Sequence, residues 1–343
     1  MANATQQSIR SIIRRSQLTP QQKLNILTFC THERYEQNLC KTGHNFYAIN
    51  QGKTWNKDFG VIPDNYHEID VLPWHVGFDL VLCHTSCDRL ITAKKIQNMY
   101  NIPIIRHTHV LPDVRLDVQN QIHSFNSIEV DHNSFISNYN RSAWGYGHEN
   151  TSFIEHGIDY KFWSDNSNDE KERENVCISV VNQWPNRDWC CGWNLWKETV
   201  GFSEETMQAS LPIKVLGDSP GLSEAAPNIE SLRGSYRASS VFLNTSLHSP
   251  VPTVLMEAMA SGCAIVSTNN CMIPEIIQHG ENGLLADTAD DLRASCQYLL
   301  NNPDESRRLG QNAQDTIKEK YNLERFVHNW NELFFGTIDN YRK

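Results

Sequence analysis

The sequence predicts an α/β protein made of two doubly wound domains facing a cleft. Three observations lead there. Short apolar runs of strand length alternate with helix-patterned stretches through both halves of the 343 residues. Several runs end abruptly in polar or charged residues, as buried parallel strands do where their C-terminal ends feed a site. The length suits two domains, each with its own core.

In chain order, Ser8–Leu18 reads as a short basic amphipathic helix. Its apolar face is only a few residues wide, so it is expected to pack on the surface rather than anchor in a membrane. Leu24–Phe29 is a strand by alternation and β-propensity. The glycine-free stretch Thr31-His32-Glu33-Arg34-Tyr35 follows at its C-terminal end as a loop. Asn45–Ile49 and Phe78–Cys83 are further strands, and Leu90–Tyr100 is helical in pattern. The run from Ile102 ends in Arg106, His107, Thr108 and His109. Ser127–Val130, Phe135–Ser137, Asn138–Trp144 and Thr151–Asp159 continue the strand–helix–strand alternation. Asp165–Asn175 is charged and lacks apolar residues, which suits an interdomain linker. It divides the chain at 165/166.

The second half opens with the strand Val176–Val181 and the tryptophan-rich stretch Asn182–Trp193. The strand Ile213–Gly217 and the strand Val241–Asn244 come next. Helices are expected at Asp290–Asn301 and Asp304–Tyr321, with a final aromatic-rich segment at Leu323–Tyr341.

Composition narrows the function classes. There is no run of 18 apolar residues and no apolar core of signal-peptide length. Of the ten cysteines Cys190 and Cys191 are adjacent and the others scattered, with no disulfide-dense pattern, which points to a reduced, cytoplasmic protein. Cys83 and Cys87, with His84 between them, have no second ligand pair at a usual spacing, so no metal site is expected. Residues 1–164 are charge-balanced and hold 11 of the 14 histidines, while the remainder carries the whole net charge of −10. An acidic chain is a poor nucleic-acid binder, although a neutral, histidine-rich first half weakens that objection. No GxGxxG follows either opening strand, which disfavours a dinucleotide-binding dehydrogenase.

The stretch Ser249–Leu285 carries the most chemistry. Pro250 and Pro252 precede a helix from Thr253 to Ser261 that Gly262 ends. The N–H groups of Thr253 and Val254 and the positive end of the helix dipole would favour a phosphate at that start. Glu257 would lie one turn in, placed to accept two hydrogen bonds from a ribose diol; taken alone, it also suits a solvated face.

VLMEAMASGCAIV, IPEII and HGENGLL match, in order and spacing, the donor-binding segment of a known family. The chain resembles the retaining GT-B glycosyltransferases of the nucleotide-sugar-dependent family that includes sucrose and glycogen synthases (glycosyl transferases group 1). The resemblance covers 130–343 and extends more weakly over 1–130.

It implies a GT-B fold of two Rossmann-like domains, an acceptor-binding one at 1–165 and a nucleotide-sugar-binding one at 166–325. Residues 326–343 would form a helix crossing back to the first. Glu257 takes the place of the second glutamate of the family's Glu-x7-Glu motif, and Ser249 replaces the first, which contacts donor-sugar hydroxyls. His248 is a possible substitute. The family's diphosphate-binding Arg and Lys align near Gln183 and Arg187, and Gly217 matches a glycine at the end of a donor-domain strand. His107 or His109 corresponds to a histidine near the donor sugar and acceptor hydroxyl. His32, Glu33 and Arg34 stand where many members place glycines, which suggests acceptor contact or an exposed loop with a local ion pair.

The implied function is sugar transfer from a UDP- or GDP-sugar co-substrate to a hydroxyl acceptor, with retention and without metal or other cofactor. The acceptor is expected to be a glycan. Two other readings stay open: a DNA glycosyltransferase acting on a hydroxymethylated base, and a non-catalytic nucleotide-sugar-binding module.

Overall fold

The computed structural model describes residues 4–19, 22–57, 60–84, 87–148, 151–165 and 173–342. They fall into two compact units, one of residues 1–157 with 324–343, the other of residues 158–323.

The first unit begins with helix α1 (Ala4–Ser16). It then runs β1 (Asn25–Phe29), α2 (Glu33–Cys40), β2 (Asn45–Ile49), β3 (Tyr66–Ile69), β4 (Leu80–His84), α3 (Cys87–Tyr100) and β5 (Ile104–Thr108). It continues with α4 (Val118–Asn126), β6 (His132–Phe135), α5 (Asn138–Ala143) and β7 (Thr151–Phe153). The strands form one parallel sheet in the order β3-β2-β1-β4-β5-β6-β7. Order reverses between β1 and β4, so the C-terminal ends of those two strands flank the crevice where open α/β sheets bind ligands.

The central strands are apolar on both faces, as a sheet covered twice requires. Leu27, Phe29, Val81, Cys83 and Ile104 pack with Leu90, Ala93, Ile96 and Tyr100 of α3. The long terminal helix α14 (Leu323–Arg342) supplies Phe326, Trp330 and Phe334, all fully buried, whose rings meet Tyr35, His107 and Phe46. Helix α1 is pinned by Arg14, whose guanidinium pairs with the buried Asp79 at 2.9 Å, and leaves Ile9, Ile12 and Ile13 exposed.

The second unit contains α6 (Tyr160–Ser164), β8 (Glu174–Val180), a 3-10 turn (Pro185–Arg187), α7 (Asp188–Cys191), α8 (Trp193–Val200), β9 (Phe202–Ser203), β10 (Gln208–Ala209) and β11 (Ile213–Leu216). Next come α9 (Ile229–Ala238), β12 (Ser239–Asn244), α10 (Thr253–Ala260), β13 (Ala264–Thr268), α11 (Ile273–Ile276), β14 (Leu284–Ala286), α12 (Ala289–Asn301) and α13 (Pro303–Lys320). Its parallel sheet runs β11-β8-β12-β13-β14, and β9 and β10 form a small antiparallel pair. The order reverses between β8 and β12, which sets the loops after those two strands side by side.

The core of this unit explains the unusual tryptophans. Trp193 and Trp196 stack with centroids 5.3 Å apart, and Trp184 leans on Trp196 at 4.8 Å. All three are buried against Val241, Leu243, Val266, Leu292 and Leu299.

Three local expectations change. The strand after α4 is His132–Phe135 rather than Ser127–Val130, because Ile128 and Val130 are spent packing against the β4–α3 core. The residues after β1 form a helix from Glu33, not a loop. The centre of the expected linker, 166–172, lies outside the described residues. Its flanks both belong to the second unit: α6 precedes it, Glu174 and Asn175 open β8, and Arg173 donates to the carbonyls of Tyr236, Ser239 and Ser261.

Candidate active site

In the second unit, α10 starts at Thr253 after an extended Pro252, with no side-chain cap on its first N–H groups. Leu255 N–H turns back to Pro252, leaving Thr253 and Val254 at the dipole's positive end. The helix closes at Gly262, where Gly262 N–H bonds the Met259 carbonyl and Cys263 N–H the Ala258 carbonyl. Arg173 on the Ser261 carbonyl adds a cation at this negative end.

Glu257 does not lie on a solvated face. It is 4% exposed, and the buried Tyr236 of α9 directs its hydroxyl at Glu257 Oε2 from 3.5 Å. A buried carboxylate needs polar company, and a fixed phenol supplies part of it.

The loop ahead of α10 is clamped. Cys190 accepts from Leu247 N–H at 2.9 Å and from His248 N–H at 3.1 Å. Thr245 Oγ1 donates to the carbonyls of Cys191 and Gly192, and Trp189 lies against the His248 ring at 5.8 Å. Gly192 has φ 64°, and a Cβ there would fall 2.0 Å from the Thr245 oxygen. So the tryptophan-rich stretch does more than fill the core: its α7 turn fixes the backbone just before Ser249. From the other side, Asn270 Nδ2 and Thr268 Oγ1 both donate to the Ser246 carbonyl.

Gly217 and Gln183 are parts of one seam. Gln183 donates to the Asp218 carbonyl and carboxylate, Asp218 N–H donates to Asn182, and a Cβ on Gly217 would fall 2.1 Å from Val181 O. Gly217 thus lets the loops after β8 and β11 touch. Arg187 is exposed at the end of its 3-10 turn, with its guanidinium 3.4 Å from the Asn182 carbonyl.

In the first unit, the structure gathers histidines from distant stretches at the ends of β4 and β5. His84 and His107 are register partners. His107 is fully buried with both ring nitrogens engaged, Nε2 at 3.0 Å from Tyr35 Oη and Nδ1 at 3.1 Å from Ser134 Oγ. His109 Nε2 meets His84 Nδ1 at 2.8 Å, and the His109 ring packs edge-on to Tyr35 and His107. His156 completes the group, 6.2 Å from His109. Of these four residues His109 alone keeps partial solvent exposure, although its ring is largely enclosed. The two candidates therefore separate: His107 is locked into the interior, and His109 reaches the surface. Neighbouring Arg106 points to the other face of β5, where its guanidinium lies over Phe125 and donates to Asn133.

Burial disfavours a charged imidazole, so all four rings are held neutral, His84 with its pKa lowered to about 3, His156 to about 4, and His107 and His109 well below the ordinary value. Glu36 of α2 is wholly buried, donated to by Thr31 Oγ1 at 2.7 Å, and burial lifts its pKa to about 7. Among the described residues no three His, Cys, Asp or Glu side chains are arranged to hold a metal ion.

His32 is exposed before α2, and Arg34 is half-buried. Glu33 turns inward. It accepts Asn56 N–H at 3.1 Å and pairs with Lys53 at 3.4 Å, tying down the loop after β2. Burial alone would raise its pKa, but its own backbone N–H, that of Asn56 and Lys53 together bring it below the usual value. Tyr35, Glu36, His84, His156 and Tyr236 are the members of these sites that the sequence reading missed.

Residues 227–316, spanning α9 to α13, match the family described as Glycosyl transferases group 1. The match covers part of the second unit, about a quarter of the chain. The N-acetyl-alpha-D-glucosaminyl L-malate synthase of Bacillus anthracis is 31% identical over 87 residues, 25% of this chain and 23% of that protein. An uncharacterized glycosyltransferase of Haemophilus influenzae is 28% identical over 142 residues, 40% of this chain and 39% of that one. The matched segments thus span well under half the length of these curated relatives.

The fold likeness reaches further. Sucrose-phosphate synthase of Thermosynechococcus elongatus superposes with a TM-score of 0.71 at 12% identity, covering 93% of this chain and all of that one. HepE of Anabaena, solved with UDP-glucose, gives 0.72 at 15% identity over 91% of this chain and 100% of its own. The fold is that of the GT-B glycosyltransferases. No helix among the described residues is long and apolar enough to cross a membrane.

Proposed function

We propose that this protein transfers a sugar from a UDP- or GDP-sugar to a hydroxyl acceptor, with retention of anomeric configuration and without a metal. The observation that carries the reading is Glu257: a carboxylate buried beside Tyr236, one turn inside a helix whose first N–H groups are uncapped, within the group 1 domain. In this reading Glu257 binds the ribose diol, and Thr253 and Val254 N–H hold phosphate. Arg187 neutralises charge on the leaving diphosphate, which takes the acceptor's proton. Fixed dipoles and a guanidinium stabilise that charge without reorganising. Gly217 holds the neighbouring loop, and the clamped Ser249 and His248 meet the sugar. The first unit takes the acceptor, which we take to be a glycan: His109 binds its hydroxyl, His107 supports His109 from within, and His32 and Arg34 read the rest of it.

Thermal-shift titration with UDP-, GDP- and ADP-sugars tests the donor, because a ligand that binds only the native state raises its stability. Unchanged donor affinity in Glu257→Ala would remove the ribose assignment. Ser249, in place of the family's first glutamate, favours one second reading, a donor-binding module without catalysis. Release or transfer of radiolabelled sugar from the donor that binds would exclude it.

A further inference from the structure

The rings at the ends of β4 and β5 form two hydrogen-bond systems with different logic. His107 is closed, with Tyr35 on one nitrogen and Ser134 on the other. His84 is not. Its Nδ1 is bonded to His109 Nε2 at 2.8 Å, but its Nε2 stands 3.6 Å from Glu36 Oε1 without a hydrogen bond, and Glu36 Oε2 has none either. Both side chains are fully buried. An unsatisfied imidazole nitrogen facing a carboxyl group in a buried interior is costly unless a proton bridges them. A side-chain movement of a few tenths of an ångström, on the order of the slack in hydrogen-bond lengths, closes the gap.

We propose that Glu36, His84 and His109 form a tautomer switch, in which the protonation state of Glu36 dictates which ring nitrogen of His109 carries its proton. With Glu36 ionised, its carboxylate accepts the Nε2–H of His84. The Nδ1 lone pair of His84 then accepts the Nε2–H of His109, and His109 is an acceptor at Nδ1. When one proton enters at His109 Nδ1, the Nε2 proton of His109 passes to His84 Nδ1. The Nε2 proton of His84 passes in turn to Glu36. Both hydrogen bonds reverse, one proton has been gained, and it rests as a neutral carboxylic acid. His109 is now a donor at Nδ1. At neither end of the process does an imidazole carry charge.

The surroundings favour this division. Burial opposes charge on both kinds of group, depressing the histidines and lifting Glu36 to about 7, so the carboxyl is the member that titrates near neutrality. Lys53 and Arg89 face Glu36 and moderate its rise. Cys30, Cys40 and Tyr66, which also face it, are neutral there, each with its pKa raised by burial. His107 and His156, kept uncharged by burial, are the titratable neighbours of His109, and the more exposed His32 near them has its pKa lowered too.

The consequence for transfer rests on the proposed role of His109: as an acceptor it takes the hydrogen bond of an incoming hydroxyl and leaves the oxygen lone pairs open to react, and as a donor it occupies one of them. The switch itself does not depend on that role. Glu36 and His84 act through His109 and are positioning residues.

Nitrogen chemical shifts report imidazole tautomers directly. The full chain, labelled with 15N at histidine, is titrated between about pH 5.5 and 8.5 without substrate, with His84→Gln and His109→Gln to assign the two rings. Both rings are expected to change from the Nε2–H to the Nδ1–H form as pH falls, with one shared midpoint near 7 and no imidazolium signature. Glu36→Gln is expected to abolish the change. Tautomers that stay fixed in the wild type, separate midpoints, or conversion to imidazolium would each overturn the switch, as would an unaltered titration in Glu36→Gln. Because the wild-type titration needs no substrate, a failed transferase assay leaves the switch standing, and a fixed tautomer overturns it whatever the enzyme does.

Discussion

Tyr236 Oη lies 3.5 Å from Glu257 Oε2, so a phenol from α9 steadies the carboxylate of α10. Removing the hydroxyl alone should loosen Glu257 while leaving its carboxyl group in place. Tyr236→Phe is expected to weaken donor binding about 2- to 10-fold, in line with the ~0.5–1.5 kcal/mol of one hydrogen bond. Glu257→Ala should weaken it much more. Calorimetry with the best nucleotide sugar measures both, and equal effects would place Glu257 outside the donor site.

Gly192 is the contact point between the α7 turn and the loop leading to Ser249. Gly192→Ala forces its Cβ against Thr245 O and puts a side chain at φ 64°. The left-handed conformation alone costs roughly 1–2 kcal/mol for an L-residue. We expect a lowered urea midpoint and a raised donor KM together. A lowered midpoint with donor KM intact would mean that the clamp does not set the position of Ser249.

Trp196 belongs to the core. Trp196→Ala should cost on the order of 3–5 kcal/mol by the usual large-to-small rule. At a temperature where the variant stays folded, donor affinity should be nearly unchanged, as unfolding and binding curves on one sample would show.

Stability should follow pH in two opposed windows. The folded pKa values of His44, His84 and His156 are lowered by burial, to about 4, 3 and 4. In that range the unfolded chain binds more protons than the folded one, so stability rises with pH from about 4 to 6.5. Glu36 has its folded pKa raised by burial to about 7, so its contribution is present below its ordinary value and lost as pH rises through 7. The histidines are more numerous and dominate the acid side. Three histidines against one carboxylate leave a net rise to about pH 7 and a plateau above it. Glu36→Gln removes the opposing contribution, so the rise between about pH 4.5 and 7 should steepen, read from urea midpoints across the range.

Much of the second unit was legible because its signals are local. The apolar run of β13, the helix start after Pro252 and the stop at Gly262 each follow from a few adjacent residues. Strand β3, YHEI, was not: it sits at the sheet edge with two polar residues in four, and carries no apolar run. The histidine cluster was half legible. His107 and His109 stood out at the end of a strand, but Tyr35 read as part of a loop and Glu36 after it gave no signal of its own. Carboxylates are ordinarily exposed, yet α2 buries Glu33 and Glu36 on the same side as Leu39 and Cys40. Only the strand order β2-β1-β4-β5 brings residues 35, 84, 107 and 109 together, and strand order is not written in any one segment.

The return of the chain to the first unit also sets an order of maturation. Residues 158–323 are continuous and can close their own core as they are made, whereas the unit begun first lacks Phe326, Trp330 and Phe334 until after they are finished. Domains usually fold from the N-terminus onward during synthesis. Here the unit that comes first along the chain is the later of the two to be completed, and the rings around His107 are sealed only once Trp330 has been made. A chain stopped after Leu323 should yield to protease across 1–157 while 158–323 resists, and the opposite pattern would mean that α14 is dispensable to the unit it joins.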